Sequence, residues 1–112
     1  MSSELDLTNR HCKPCKGSAS PMTHYEAQAS LKQVEGWELS EDGRMISRRF
    51  GFSNFYETMA FINAMAWIAN TEDHHPDFSE GYNYCLVNYT SHAIGGLSEN
   101  DFICAAKLNQ LL

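Results

Sequence analysis

The hydrophobic period of this chain changes once between Ser53 and Thr90, and Pro76 marks the change. Phe55, Met59, Ile62, Met65, Ala66 and Ala69 recur at helical spacing, which predicts one apolar stripe of about four turns, capped by Ser53. From Tyr82 to Thr90 the pattern alternates instead, with Cys85, Val87 and Tyr89 on one face and Tyr84, Leu86 and Asn88 on the other. Pro76 pushes its predecessor toward extended geometry, so the helix must end before His75. A long amphipathic helix followed by a half-apolar strand calls for a sheet with helices laid over it.

The remaining segments fit that frame. Thr23-His24-Tyr25-Glu26 is a capping box, predicting a helix over 24–33 that stops before Gly36. Residues 37–40 and 45–52 read as strands joined through Asp42-Gly43, a strong hairpin signal. Ser79-Glu80-Gly81 turns a short strand over 75–78 into the longer one over 82–90. Gly95-Gly96 closes that strand, and Ser98 caps a last helix with Asp101 at its third position. The order is αββαββα, an α+β domain with a four-stranded antiparallel sheet and helices packed on one face. Residues 1–21 carry Ser, Lys, Pro and Gly with few apolar groups, so they read as a flexible N-terminal tail before a domain over 22–112.

With 112 residues the chain supports one domain and a modest core, which makes association with a second subunit an expectation. Hydrophobic content of 43% and charged content of 20% argue against wholesale disorder. Eight Lys+Arg against fourteen Asp+Glu give a formal charge of -6, which would repel a nucleic-acid backbone. Nowhere do eighteen apolar residues run together, and the first twenty residues hold no apolar core of the signal-peptide kind. The expected setting is cytoplasmic, with four reduced cysteines and no membrane. Cys85 and Cys104 read as small core hydrophobes. His11-Cys12-x-x-Cys15 resembles half a zinc site but lacks a second pair of ligands, so free thiols are expected.

Chemistry concentrates at Asp73-His74-His75-Pro76-Asp77 and at His92. Imidazole is the side chain that gives and takes protons near neutrality, so three of them suggest an acid–base site. Adjacent side chains on an extended segment point to opposite faces, so His74 and His75 share a pocket only if the chain bends there. The bland alternative is a polar loop after a helix, where His favours the dipole. His75, Asp77 and His92 also have the residue types of a two-His-one-carboxylate metal site, but the β frame that carries such sites is missing. Asp101 is explained by helix capping and can also face the histidines.

Together Asp73-His74-His75-Pro76-Asp77, Tyr82, Ser91-His92, Gly95-Gly96-Leu97-Ser98 and Asp101 resemble the pterin-4a-carbinolamine dehydratase family. Gly36-Trp37 and Phe50-x-Phe52-x-x-Phe55 also fit, and the similarity runs from about Thr23 to Leu108. The resemblance implies dehydration of a 4a-hydroxytetrahydropterin to a quinonoid dihydropterin, with no metal, no cofactor and no redox partner. That reaction needs a proton delivered to the leaving oxygen and another taken from a ring nitrogen, both within reach of imidazoles. The spacing of 74, 75, 92 and 101 on this frame makes His74, His75 and His92 the expected catalytic residues, His74 and His92 as the main acid–base pair and His75 chiefly positioning the pterin. Pro76 and the Ser91-His92-Ala93-Ile94 turn would shape the pocket wall, with Asp101 in support. The tail around His11-Cys12-Lys13-Pro14-Cys15 is similar to that of bacterial members linked to phenylalanine hydroxylase. Other members stabilise partner proteins, so an interaction module is the alternative reading. In either case the strand face over 84–88 is expected to form a homodimer or homotetramer. Asn70 departs from the pattern, since the family usually has an acid four residues before the first His. Glu72 substitutes for it only if the helix end shifts.

Overall fold

The computed structural model describes residues 4–15, 17 and 19–112. Its helices are α1 (Glu4–Thr8), α2 (His24–Leu31), α3 (Phe55–Glu72) and α4 (Glu99–Asn109), and its strands β1 (Glu38–Leu39), β2 (Ile46–Gly51), β3 (Asp77–Glu80) and β4 (Tyr84–Tyr89). The strands form one antiparallel sheet in the order β1-β2-β4-β3. The expected αββαββα order is therefore present, preceded by the short α1.

Alternation along β4 decides which face is covered. Cys85, Val87 and Tyr89 are buried while Tyr84, Leu86 and Asn88 are half-buried. Their β2 partners Ile46 and Phe50 join the same apolar layer, opposite Tyr89 and Cys85. Trp37 meets Phe50 edge-on with ring centroids 6.0 Å apart, and its indole N–H donates to Asn109 Oδ1 at 3.0 Å. From above, Phe61, Ile62 and Met65 of α3 and Phe102, Ile103 and Ala106 of α4 close the core.

The turns explain how the chain gets there. Thr23 and Glu26 form the expected reciprocal cap, at 2.9 and 3.1 Å. Gly43 has φ 72, the left-handed region that a hairpin turn uses and that glycine enters without strain. Several boundaries move. Asn54, not Ser53, caps α3, its side chain accepting the Glu57 N–H at 2.9 Å. The turn after β3 falls later than expected, so β3 covers 77–80 rather than 75–78.

The buried stripe of α3 is also rotated from the apolar one. Thr58, Phe61, Ile62, Met65, Ile68 and Glu72 face inward, while Phe55 is 46% exposed and Ala66 lies outside. Two polar residues can occupy buried positions because their partners are built in. The Thr58 hydroxyl lies 3.0 Å from both Asn54 O and Tyr82 O, and Glu72 is satisfied from the N-terminal segment.

That segment reads as loose in the sequence, yet at Glu4–Cys15 it is packed. Leu7 is buried in the core, Lys107 Nζ donates to Thr8 O at 2.8 Å, and Asn109 Nδ2 donates to Glu4 Oε2 at 2.9 Å. Few apolar residues are needed because α4 supplies polar anchors along its length. Residues 1–3, 16 and 18 of the expected tail lie outside the described residues.

Candidate active site

Asp73 ends α3 in the left-handed conformation, with φ 51 and ψ 42. Its N–H and that of His74 both return to Ala69 O, so the bend that the histidine doublet needs comes from Asp73, ahead of Pro76. The bend brings the His74 ring against Tyr89, nearly parallel at 11° with centroids 5.8 Å apart. His74 Nε2 lies 2.7 Å from Asp101 Oδ1. The Asp101 side chain is fully buried, and its other oxygen accepts from Ser91 Oγ at 2.9 Å and from the Ser98 N–H at 3.0 Å. One carboxylate thus joins the end of α3, the loop after β4 and the start of α4. Opposite a carboxylate, the His74 tautomer that fits carries its proton on Nε2, leaving the lone pair on Nδ1.

His75 is exposed, with Nδ1 3.3 Å from Pro76 O. His92 opens a 3₁₀ turn over His92–Ile94, which ends at Gly95 with φ 69. A bridge between Ser91 and Gly96 closes this turn at its base. His92 Nε2 stands 3.5 Å from Asp77 Oδ2, both side chains about two-thirds exposed at 67% and 66%, so this pair is a weak tether.

All three histidines line one cleft of about 550 Å³, together with Ser91 and Ala93. The other expected site residues stand elsewhere. Asp101 and Pro76 are buried and do not line it, and Ile94 lines a neighbouring hollow instead. Asp101 therefore meets a ligand only through His74 and Ser91, which line the cleft and bond its carboxylate.

The opposite wall did not emerge from sequence patterning. Cys12, Lys13, Pro14 and Cys15 line it, with Thr71 and Asn100. Asn100 clamps the segment at one residue, accepting the Lys13 N–H at 3.0 Å and donating to Lys13 O at 2.6 Å. Glu72 accepts the Cys12 N–H at 2.7 Å and meets His11 Nδ1 at 2.9 Å. Burial alone would raise the Glu72 carboxyl, but the Cys12 N–H, His11 and the Lys107 ammonium 3.8 Å away hold it below its ordinary range. Glu72 is thus committed to the N-terminal segment and does not replace the acid missing at Asn70.

The residues of the half zinc site turn to separate partners. His11 turns to Glu72, Cys12 to Cys104 and Cys15 to Ser98. Among the described residues no three His, Cys, Asp or Glu side chains gather as a metal site would require.

The profile of the family described as pterin 4 alpha carbinolamine dehydratase matches residues 20–111. A Nitrosomonas eutropha protein provisionally named as such a dehydratase is 58% identical, over 100% of this chain and 98% of its own. A Legionella pneumophila protein with the same provisional name is 53% identical, over 96% of each chain. Among solved structures, a transcriptional coactivator/pterin dehydratase from Brucella melitensis superposes with TM-score 0.79 at 29% identity, over 82% of this chain and 98% of that one. A pterin dehydratase-like RuBisCO assembly factor of the alpha-carboxysome shares the fold, with TM-score 0.61 at 24% identity over 69% of this chain and 89% of that one.

Proposed function

Because the chain belongs to the pterin-4a-carbinolamine dehydratase family, we propose that the three-histidine cleft is where it removes water from a 4a-hydroxytetrahydropterin. The protein is a hydro-lyase of this family. The observation that carries the reading is the convergence of His74, His75 and His92 on one cleft, with His74 fixed by a buried carboxylate.

In this mechanism His74 is the base. Asp101 holds the ring by Nε2, and Nδ1 takes the proton that leaves a ring nitrogen of the substrate. His92, on the rim, is the acid that protonates the departing 4a-hydroxyl, which leaves as water. Proton exchange with solvent then resets both imidazoles. His75 orients the flat heterocycle without exchanging protons. Each positioned acid or base contributes on the order of 10²–10⁴ in rate. His74→Ala and His92→Ala are therefore expected to lower kcat on synthetic carbinolamine at least about a hundredfold, whereas His75→Ala chiefly raises KM. Near-normal turnover in either of the first two variants overturns the assignment. Activity is expected to survive excess chelator, and a loss restored by added metal favours the His75-Asp77-His92 reading.

The tail's similarity to bacterial members linked to phenylalanine hydroxylase supports cytoplasmic recycling of that hydroxylase's pterin. Among the described residues no helix is long and apolar enough to cross a membrane. A second reading, a partner-stabilising module, draws on the uncovered face of the sheet and on the name of the Brucella chain, a transcriptional coactivator. Partner capture that survives substitution of all three histidines, with negligible dehydration, would favour it.

A further inference from the structure

The Cys12-x-x-Cys15 spacing suggests a neighbouring thiol pair, but the fold pairs Cys12 with a different cysteine. Cys12 Sγ lies 3.6 Å from the Sγ of Cys104 on α4. Cys15 Sγ instead lies 3.6 Å from Ser98 Oγ and accepts from Asn100 Nδ2 at 3.4 Å. We propose that Cys12 and Cys104 form a reversible disulfide, made by exchange with a low-molecular-weight disulfide, which fastens the N-terminal segment along the cleft.

Three features support the pairing. The backbone of Cys12 is fixed by its N–H bond to Glu72, and that of Lys13 by the Asn100 clamp, so the Cys12 sulfur is aimed rather than free to wander. Closing 3.6 Å to the roughly 2.05 Å of a disulfide needs a movement of about 1.5 Å. Access differs between the two thiols, which sets which one meets the small disulfide first. Cys12 lines the cleft and is partly exposed, while Cys104 is fully buried.

The order of the steps comes from that difference. The Cys12 thiolate attacks one sulfur of the small disulfide, giving a mixed disulfide and releasing one small thiol. The Cys12 contact and burial hold the Cys104 thiol above its ordinary value, so it attacks the Cys12 sulfur as its proton passes to the departing small thiolate, which leaves as the second small thiol. Two electrons pass from the protein thiols to the small disulfide. Inside cells such bonds are usually transient and serve as redox sensors. Here the bond would lock the cleft wall that carries Lys13 and Pro14 to the helix that carries Asp101.

The test uses the full-length protein, oxidised glutathione as probe, acid quenching and mass analysis with peptide mapping. The expected product has lost two hydrogens, carries one cross-link between Cys12 and Cys104, and returns to the starting mass with dithiothreitol. Closing a loop of roughly ninety residues is expected to raise Tm by about 5 °C or more. Cys15→Ser should behave as the parent does, and Cys104→Ala should retain one glutathione on Cys12. A Cys12–Cys15 cross-link, a persistent glutathione adduct on the parent protein, or no reaction while Cys12 remains open to alkylation would each overturn the proposal. None of these readouts uses turnover, so they stand apart from the dehydration reading.

Discussion

Asp101 joins three partners through one buried carboxylate. It is fully buried, and its two oxygens accept from Ser91 and Ser98 while meeting His74. Asn in its place keeps one carbonyl oxygen but turns an amide donor toward either the imidazole or the Ser98 N–H. We expect Asp101→Asn to cost about 1–3 kcal/mol of stability and to lower kcat about as much as loss of His74. A folded variant with parental kcat would show that the carboxylate serves only as a cap. Thiol reactivity gives a second test at this scale. Burial, reinforced by Glu80, pushes the Cys85 thiol up to about 11, so at pH 8 it stays protonated and shielded. Native protein should be alkylated at Cys15 and Cys12, with Cys85 reacting only after unfolding. Early labelling of Cys85 would contradict its place in the sheet.

Among the elements, the N-terminal segment makes the most specific prediction. Glu72 has a lowered pKa in the folded protein, so the native state holds fewer protons there than the unfolded chain does. Its stabilising contribution is complete above the ordinary value of 4.5 and is lost as pH falls through the lowered one. Stability measured against pH should therefore separate the parent from Glu72→Gln near neutrality, and the two curves should converge as pH falls below the ordinary value of 4.5 and through the lowered one. A constant gap at all pH values would mean that Glu72 acts by shape alone. Local signals make much of the remaining architecture legible. Thr23, Gly43, Pro76 and Ser98 set boundaries through backbone chemistry that involves only near neighbours. The N-terminal segment carries no such signal, because Glu72, Asn100 and Lys107 hold its backbone by polar bonds from across the fold. The α3 stripe departs from its apolar pattern for a related reason, since Thr58 and Glu72 are buried with partners that no periodicity reveals.

For the whole molecule, the uncovered sheet face matters most. Tyr84, Leu86 and Asn88 are half-buried there, and β3 is exposed throughout, with β4 its one neighbour in the sheet. An edge of this kind is a template for pairing with another strand. We expect a homodimer or homotetramer by light scattering at micromolar concentration, and Leu86→Lys to shift it toward monomer. A monomeric parent would contradict this. The histidines, by contrast, converge within one chain, which their spacing suggests and only the left-handed Asp73 makes possible. The most direct test of the site is a crystal structure with a bound reduced pterin. The heterocycle is expected in this cleft, with His74 Nδ1 and His92 each within about 2.6–3.2 Å of a ring nitrogen or the C4a substituent. A pterin bound elsewhere, or one that His74 and His92 do not touch, would contradict the dehydratase site proposed for this cleft.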